Sequence, residues 1–161
     1  MSETKAVARR DLSFDRLDDV LADVDHLVQA GYDRAGAWSL GQIADHLARP
    51  IETTMNEVYR VDLPWIMTNW LSRNTVMRLS KWDLFRRRKI PSGLPAPKAF
   101  VTTPDVDEQQ AVTRLRQAVR DLQAYDGPWP FHPLFGPLTA EQWREFHVIH
   151  AAHHLSFLVP R

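Results

Sequence analysis

Hydrophobic residues recur at helical spacing in several segments of this chain, each followed by a polar or proline-containing break. The first such segment lies between Ser13, a candidate N-terminal cap, and Gly31, a candidate stop. Its apolar stripe consists of Phe14, Leu17, Val20, Leu21, Val24, Leu27 and Val28. Aspartates occupy the opposite face, so the pattern predicts an amphipathic helix with one buried side.

A second helix is predicted after Trp38, where Ser39 and Gln42 have the spacing of a capping box. Trp38 precedes the cap and is expected to pack on the next turn. The predicted buried side consists of Leu40, Ile43, Leu47, Ile51 and Met55. His46 lies at the edge of that stripe and is therefore expected to face the interior. Pro50 is expected to bend or restart the helix one turn after His46.

The middle of the chain contains a tryptophan-rich helical stretch over 63–88, followed by the proline-rich segment 91–104. The tryptophans are Trp65, Trp70 and Trp82, and we interpret them as packing residues rather than a ligand cage. The basic run 86–89 is interpreted as a solvated helix end, since cations complement the helix dipole there. The segment 91–104 is long for a connection, so it is expected to cover the core or a functional site.

Two more helices are predicted toward the C-terminus. Asp105 and Asp107 open the first of them, which ends before Gly127-Pro128. Its apolar face consists of Ala111, Leu115, Ala118, Leu122 and Tyr125. Thr139 and Gln142 form a second capping box, after which the last helix begins. Because no strand-like alternation is evident, the predicted fold is all-α, an up-and-down four-helix bundle with a mid-chain helix and proline-rich loop inserted.

Composition narrows the classes of function. The 161 residues fit one domain, predicted over 12–161 after a loose tail over 1–11. Twenty basic residues balance twenty acidic ones, which argues against nucleic-acid or membrane partners. The chain has no cysteine, so a metal would be held by imidazole, carboxylate or water. Neither a signal peptide nor a membrane span is recognisable, and we expect a cytoplasmic protein.

The last helix carries an unusual concentration of histidine. It contains four of the seven histidines of the chain, namely His147, His150, His153 and His154. His150 and His154 are separated by about 40° around the helix axis, so both can reach one cation. A third ligand would come from His26, His46 or His132, of which His26 is expected at the surface. The alternative is that these histidines are ordinary core-edge and surface residues.

Three segments, 38–52, 132–143 and 147–158, resemble the DinB-like (YfiT-type) metal-binding four-helix bundles. The likeness is to an uncharacterised bacterial branch with a mid-chain insertion, and it covers roughly three quarters of the chain, from the second helix onward. It implies His46, His150 and His154 as metal ligands, with His147 and His153 as supporting groups around them. The sequence departs from that pattern at Phe157, where many relatives have glutamine, which weakens any inference about a particular substrate.

The resemblance also implies a chemistry. Three neutral imidazoles suit Zn²⁺ first, with Ni²⁺ or Fe²⁺ as alternatives, and three protein ligands leave a position for substrate or water. Characterised members of the superfamily include thiol-dependent S-transferases and a maleylpyruvate isomerase. We therefore expect a metal-dependent transferase or hydrolase that acts on a small molecule, with a low-molecular-weight thiol as cosubstrate. The alternative is a non-catalytic metal-binding stress or interaction protein. A homodimer is expected by analogy alone.

Overall fold

The structure, a computed structural model, describes residues 7–56, 69, 71, 74–91 and 98–161. In chain order its elements are α1 (Leu17–Ala30), β1 (Tyr32–Arg34), α2 (Leu40–Met55), α3 (Val76–Arg87), a 3₁₀ helix (Lys98–Phe100), α4 (Glu108–Ala124), α5 (Ala140–Leu155) and β2 (Leu158–Pro160). The prediction of a mostly helical chain is confirmed. The small antiparallel sheet, in which Asp33 lies opposite Val159, was not predicted.

Helix α1 begins later than the sequence predicted. Its first residue is Leu17, with Arg16 as N-cap, so the predicted start at Ser13 is wrong. The carboxylate of Asp19 accepts a hydrogen bond from the backbone N–H of Arg16 at 2.9 Å, which satisfies a donor at the helix start. The helix ends as predicted at Gly31, whose φ of 69° lies in the region that favours glycine.

Both predicted capping boxes are confirmed. At α2, the Ser39 hydroxyl accepts from the Gln42 N–H at 3.3 Å, and the Gln42 side chain accepts from the Ser39 N–H at 3.0 Å. At α5, Thr139 and Gln142 exchange the same pair of bonds at 3.2 and 3.1 Å. Each box fixes the residue at which its helix begins, and therefore fixes the direction of the histidines further along.

Helix α2 runs across Pro50 to Met55 without a restart. Proline has no N–H, so the carbonyl of His46, four residues earlier, lacks its usual intrahelical partner. The proline itself is buried within the core, and its carbonyl accepts a hydrogen bond from the Thr54 hydroxyl at 2.9 Å. The restart that was predicted as one alternative at Pro50 is therefore wrong, because the helix is continuous there.

Helices α1, α2, α4 and α5 contribute to one hydrophobic core. Helix α2 packs along α4, while α5 contacts both α1 and α2. Val28 was predicted on the buried side of α1 but is 49% exposed. A second group of apolar side chains, which we call the aromatic cluster, joins α3 and the 3₁₀ helix to α5. It consists of Phe85, Phe100, Trp129, Phe135, Leu138, Trp143 and Phe146.

The described part of the N-terminal segment contacts the end of α5. The guanidinium of Arg10 binds both carboxylate oxygens of Asp23 at 2.8 Å and donates to the carbonyl of Leu155 at 3.0 Å. Its backbone N–H donates to the carbonyl of Ser156 at 2.9 Å. These bonds satisfy carbonyls at the C-terminal end of α5, the turn that carries His154.

Part of the mid-chain prediction falls outside the described residues. Trp65 and Trp70 lie there, as do residues 92–97 of the proline-rich segment. Trp82 lies on α3 and is 58% exposed, so it is not a core residue. None of the helices in the described ranges is both long and apolar enough to cross a membrane.

Replacing Gly41 by alanine is expected to destabilise the protein. A Cβ at Gly41 would lie 2.9 Å from the Cα of Glu108, because α2 and α4 are in backbone contact there. Overpacking of this kind costs about 1–3 kcal/mol. Helix propensity alone would stabilise the variant by about 1 kcal/mol. Urea denaturation at neutral pH measures the sign, and a more stable Gly41→Ala variant would contradict the close packing.

Candidate metal centre

Three histidines from two helices converge at one point of the structure. His46 on α2 and His150 and His154 on α5 each place one ring nitrogen so that these atoms lie within 4.8 Å of one another. The ring centroids are 4.4 Å apart for His46 and His154, 4.7 Å for the pair on α5 and 5.1 Å for His46 and His150. The ring planes cross at 64° to 79°, so the three edges surround a shared space.

The orientation of His46 is set by the backbone of the proline-rich segment. Its Nδ1 lies 2.7 Å from the carbonyl oxygen of Phe100 in the 3₁₀ helix. A carbonyl only accepts, so Nδ1 donates and carries the proton, and the Nε2 of neutral His46 carries a lone pair. The proline-rich segment was expected to cover the core or a functional site, and Phe100 does pack in the aromatic cluster while its carbonyl contacts His46. Backbone carbonyls commonly orient metal-binding histidines in this way.

The distance between the two Nε2 atoms fits a shared cation. His46 Nε2 lies 3.2 Å from His150 Nε2. Two nitrogens bound to one tetrahedral Zn²⁺ at ordinary bond lengths would be separated by about 3.3 Å. Two lone pairs at this distance repel unless a proton or a cation lies between them. His150 Nδ1 is buried and has no hydrogen-bond partner among the residues that the structure describes.

Burial keeps all three imidazoles neutral at pH 7. Burial, together with the neighbouring His46, lowers the pKa of His154 to about 2. Burial also lowers the pKa of His150 well below its ordinary value, with the surrounding histidines contributing. The pKa of His46 is lowered by burial, which outweighs the raising effects of the Phe100 carbonyl and Asp45. Neutral imidazole is the form that binds metal, so the electrostatics favour ligation.

Aromatic side chains hold the rings from two sides. Trp38, just before the α2 cap, stacks on His154 with centroids 5.6 Å apart and planes 13° apart, and contacts His46 at 5.0 Å. Phe146, one turn before His150, stacks on that ring at 5.9 Å. His150 and His154 nevertheless keep part of their surface exposed. The three-histidine group therefore has aromatic side chains packed on two sides, and two of its imidazole rings are partly exposed to solvent.

A carboxylate next to the site is engaged elsewhere. Asp45 is 6% exposed, and its two oxygens bind Arg114 of α4 and Arg49, each at 2.8 Å. Arg114 also binds Glu52 through two nitrogens, with one bond at 2.7 Å. This network joins α2 to α4 beside His46. Asp45 lies outside the three-histidine group in the described part of the chain.

His147 and His153, the predicted supporting groups, lie next to the three-histidine group rather than in it. The Thr54 hydroxyl gives its hydrogen to Pro50, so it accepts from His147 Nε2, which lies 3.0 Å away. The His153 ring contacts that of His154 at 4.9 Å, while its Nδ1 lies 3.2 Å from an Arg9 nitrogen.

The other two candidate third ligands are placed away from the group. His26 is exposed on α1, as predicted. His132 is 4% exposed, and its Nδ1 accepts from the backbone N–H groups of Leu134 and Phe135, both at 3.2 Å. The aromatic residues around His132 in the sequence are the one local signal that could have predicted this burial. Phe157 lies against Arg9 and His153 rather than among the three histidines.

Comparison with known proteins assigns a family. Residues 6–161 match the family described as "Protein of unknown function (DUF1569)". The chain belongs to this DUF1569 family. No curated protein and no solved structure matches the chain. The description of this family names no activity.

Metal-free DUF1569 protein is expected to lose stability as the pH falls below about 6.5. Burial lowers the pKa of His147, and of His132, to about 3, whereas both have ordinary values when unfolded. Below pH 6.5 the unfolded chain therefore binds more protons than the folded one, so the free energy of unfolding decreases. The slope is up to about 1.4 kcal/mol per pH unit for each such histidine.

Urea denaturation of chelator-treated protein between pH 7.5 and 5.0, at constant ionic strength, measures this slope. His147→Gln, which keeps a donor toward Thr54, should reduce it. His26→Ala, at an exposed position, should leave it unchanged. A stability that is flat across this range would contradict the burial of neutral histidines.

Proposed function

We propose that this protein binds one divalent cation through His46, His150 and His154. The observation that carries the proposal is the convergence of three imidazole nitrogens, within 4.8 Å of one another, from two separately capped helices. Their burial favours the neutral form, and the 3.2 Å separation of two Nε2 atoms suits a shared cation. These features support a metal centre over a set of unrelated core histidines.

Zn²⁺ is the first choice of metal, with Ni²⁺ and Fe²⁺ as alternatives. Imidazole is a good ligand for all three, and the order of intrinsic affinities does not select among them. The sequence contains no cysteine, so this chain supplies no thiolate ligand. A site of three neutral imidazoles adds no charge of its own and leaves the cation strongly electrophilic.

We further propose that the centre is catalytic. Among the residues that the structure describes, the group contains three candidate protein ligands, whereas structural zinc sites have four. A bound Zn²⁺ would lower the pKa of a water ligand to about 7, or stabilise a thiolate, and polarise a substrate oxygen. The protein's own part is to orient His46 through the Phe100 carbonyl and to limit water around the rings with Trp38 and Phe146.

The reaction class we propose is that of a DinB-like metal-dependent transferase or hydrolase acting on a small molecule, with a low-molecular-weight thiol as cosubstrate. Four helices, α1, α2, α4 and α5, share one core and would form the up-and-down bundle, with α3 and the proline-rich segment inserted. The ligand positions lie on two of these helices. A cytoplasmic location, a homodimer and the lack of nucleic-acid or membrane partners belong to the same proposal.

A non-catalytic metal-binding protein is the second candidate. Trp38 and Phe146 stack closely on two of the rings and narrow the path by which a substrate would reach the cation, which favours this candidate. Thiol-dependent turnover of a generic electrophile, abolished when the metal is removed, would support the enzyme. Stoichiometric metal without turnover across several thiols and esters would support the binding protein.

Tag-free protein is expected to contain close to one equivalent of Zn²⁺ after loading and gel filtration. His46→Ala and His154→Ala should each retain much less, because removing one of three ligands leaves too few to hold the cation. His153→Ala is the matched control, since it removes the neighbouring histidine on the same helix, and His26→Ala removes an exposed one. Elemental analysis of all five proteins is the measurement.

Equal metal content in wild type and both ligand variants would show that the cation is bound elsewhere. Loss of metal in His153→Ala but not in His154→Ala would show that the ligand set is wrong. Circular dichroism spectra of the same five proteins show whether a variant has lost its fold or only a metal ligand.

A further inference from the structure

A cavity of about 850 Å³ lies between α3 and the segment 131–137. We call it the α3 groove. Its lining includes three cationic side chains, Arg78, Lys81 and Arg86, and four exposed or half-buried aromatic ones, Trp82, Phe85, Phe131 and Phe135. Its size is that of small-molecule sites in proteins. The three-histidine group lies outside this lining.

The described part of the groove lining carries positive charge without an acidic side chain beside it. Among the described residues that line the groove there is no aspartate or glutamate. Arg78 makes no ion pair with a described residue, and Arg86 lies over the Trp82 ring at 4.7 Å. The carboxylate of Asp83 is bound to Arg87, at 2.6 Å, instead. The described lining is therefore positively charged in a chain whose net charge is zero.

The spacing of the charged and aromatic residues puts them on one side of α3. Arg78 and Trp82 are four residues apart, as are Trp82 and Arg86, so the three residues follow one another along one side of the helix. Lys81 points the same way, since its ammonium donates to the Pro137 carbonyl at 3.0 Å, across the groove. Burial lowers the pKa of Lys81.

Two large aromatic surfaces are left exposed at the groove. Trp82 is 58% exposed and Phe131 is 54% exposed, although both line the same cavity. Exposed aromatic faces offer stacking to a flat ring. Guanidinium groups beside them offer paired, charge-assisted hydrogen bonds to a carboxylate. The combination matches a ligand that has an aromatic ring and a negative charge.

The floor of the groove adjoins the metal centre through one ring. Phe135 contacts Phe146, with centroids 6.2 Å apart, and Phe146 stacks on His150. Phe146 therefore separates the two sites. A ligand bound in the groove therefore does not have to contact a cation bound by the three histidines.

We propose that the α3 groove binds a small aromatic carboxylate. The ring lies against Trp82 and Phe131, and the carboxylate is bound by Arg78 and Arg86. This site is independent of the metal centre and stands whether or not a cation is bound there. The basic run was predicted to be a solvated helix end, and Arg86 and Arg87 are both exposed; Arg87 pairs with Asp83, whereas Arg86 lines the groove.

Isothermal titration calorimetry with benzoate and 2-naphthoate tests the proposal. The proteins are wild type, the Arg78→Ala/Arg86→Ala double variant, the single variants Arg78→Ala and Arg86→Ala, and the control Arg87→Ala, which removes one positive charge from the same helix outside the groove. Each is titrated after zinc loading and after chelation, because a carboxylate can also bind a cation directly. The uncharged 2-naphthylmethanol serves as the ligand control.

We expect saturable 1:1 binding of 2-naphthoate to wild type with and without zinc, and to Arg87→Ala with the same affinity. The double variant and the uncharged ligand should each bind roughly tenfold or more weakly, since each loses charge-assisted hydrogen bonds. Equal affinity in all five proteins, or no binding of either acid to wild type, would overturn the proposal. Binding that needs zinc but not the arginines would also overturn it, while supporting the metal centre.

Discussion

The hydrogen bond from His46 Nδ1 to the Phe100 carbonyl is the contact on which the candidate centre depends. It places the proton of a buried imidazole away from α5, so the Nε2 lone pair faces His150 at 3.2 Å. It also joins two parts of the chain that are 54 residues apart, the start of α2 and the 3₁₀ helix of the proline-rich segment. Without it the His46 ring could adopt either tautomer, and the shared space between the three histidines would lose its geometry.

The rest of the architecture holds the two helices that carry these rings. Capping boxes determine where α2 and α5 begin, and Arg10 binds the carbonyl of Leu155 next to His154. Trp38 and Phe146 then stack on the imidazoles and limit their rotation. Burial disfavours the imidazolium form, which keeps the three ligands neutral over the physiological pH range. Burial of neutral histidines also makes the free energy of unfolding depend on pH when no cation is present.

Local signals in the sequence predicted much of this arrangement. Both capping boxes and the i,i+4 pair of His150 and His154 depend on residues within one or two helical turns, so their spacing suffices to predict them. The elements that the sequence did not predict depend on distant partners. Strand β1 is three residues long and exists because it pairs with β2, over a hundred residues later. The Phe100 carbonyl is a backbone group, and since every residue has one, the residue type cannot predict this hydrogen bond. At the start of α1, the side chain that accepts from the backbone N–H of Arg16 is Asp19, and not Ser13 as predicted.

X-ray absorption spectroscopy at the zinc edge of the loaded, tag-free protein counts the histidine ligands of the bound cation. We expect three imidazole nitrogens at about 2.0–2.1 Å, with the scattering pattern of histidine rings, and one or two further light atoms from water. In His46→Gln the imidazole count should fall to two. Four imidazoles would mean a closed, structural site that includes a histidine outside the proposed set. A shell of oxygen atoms without imidazole scattering would contradict the three-histidine centre altogether.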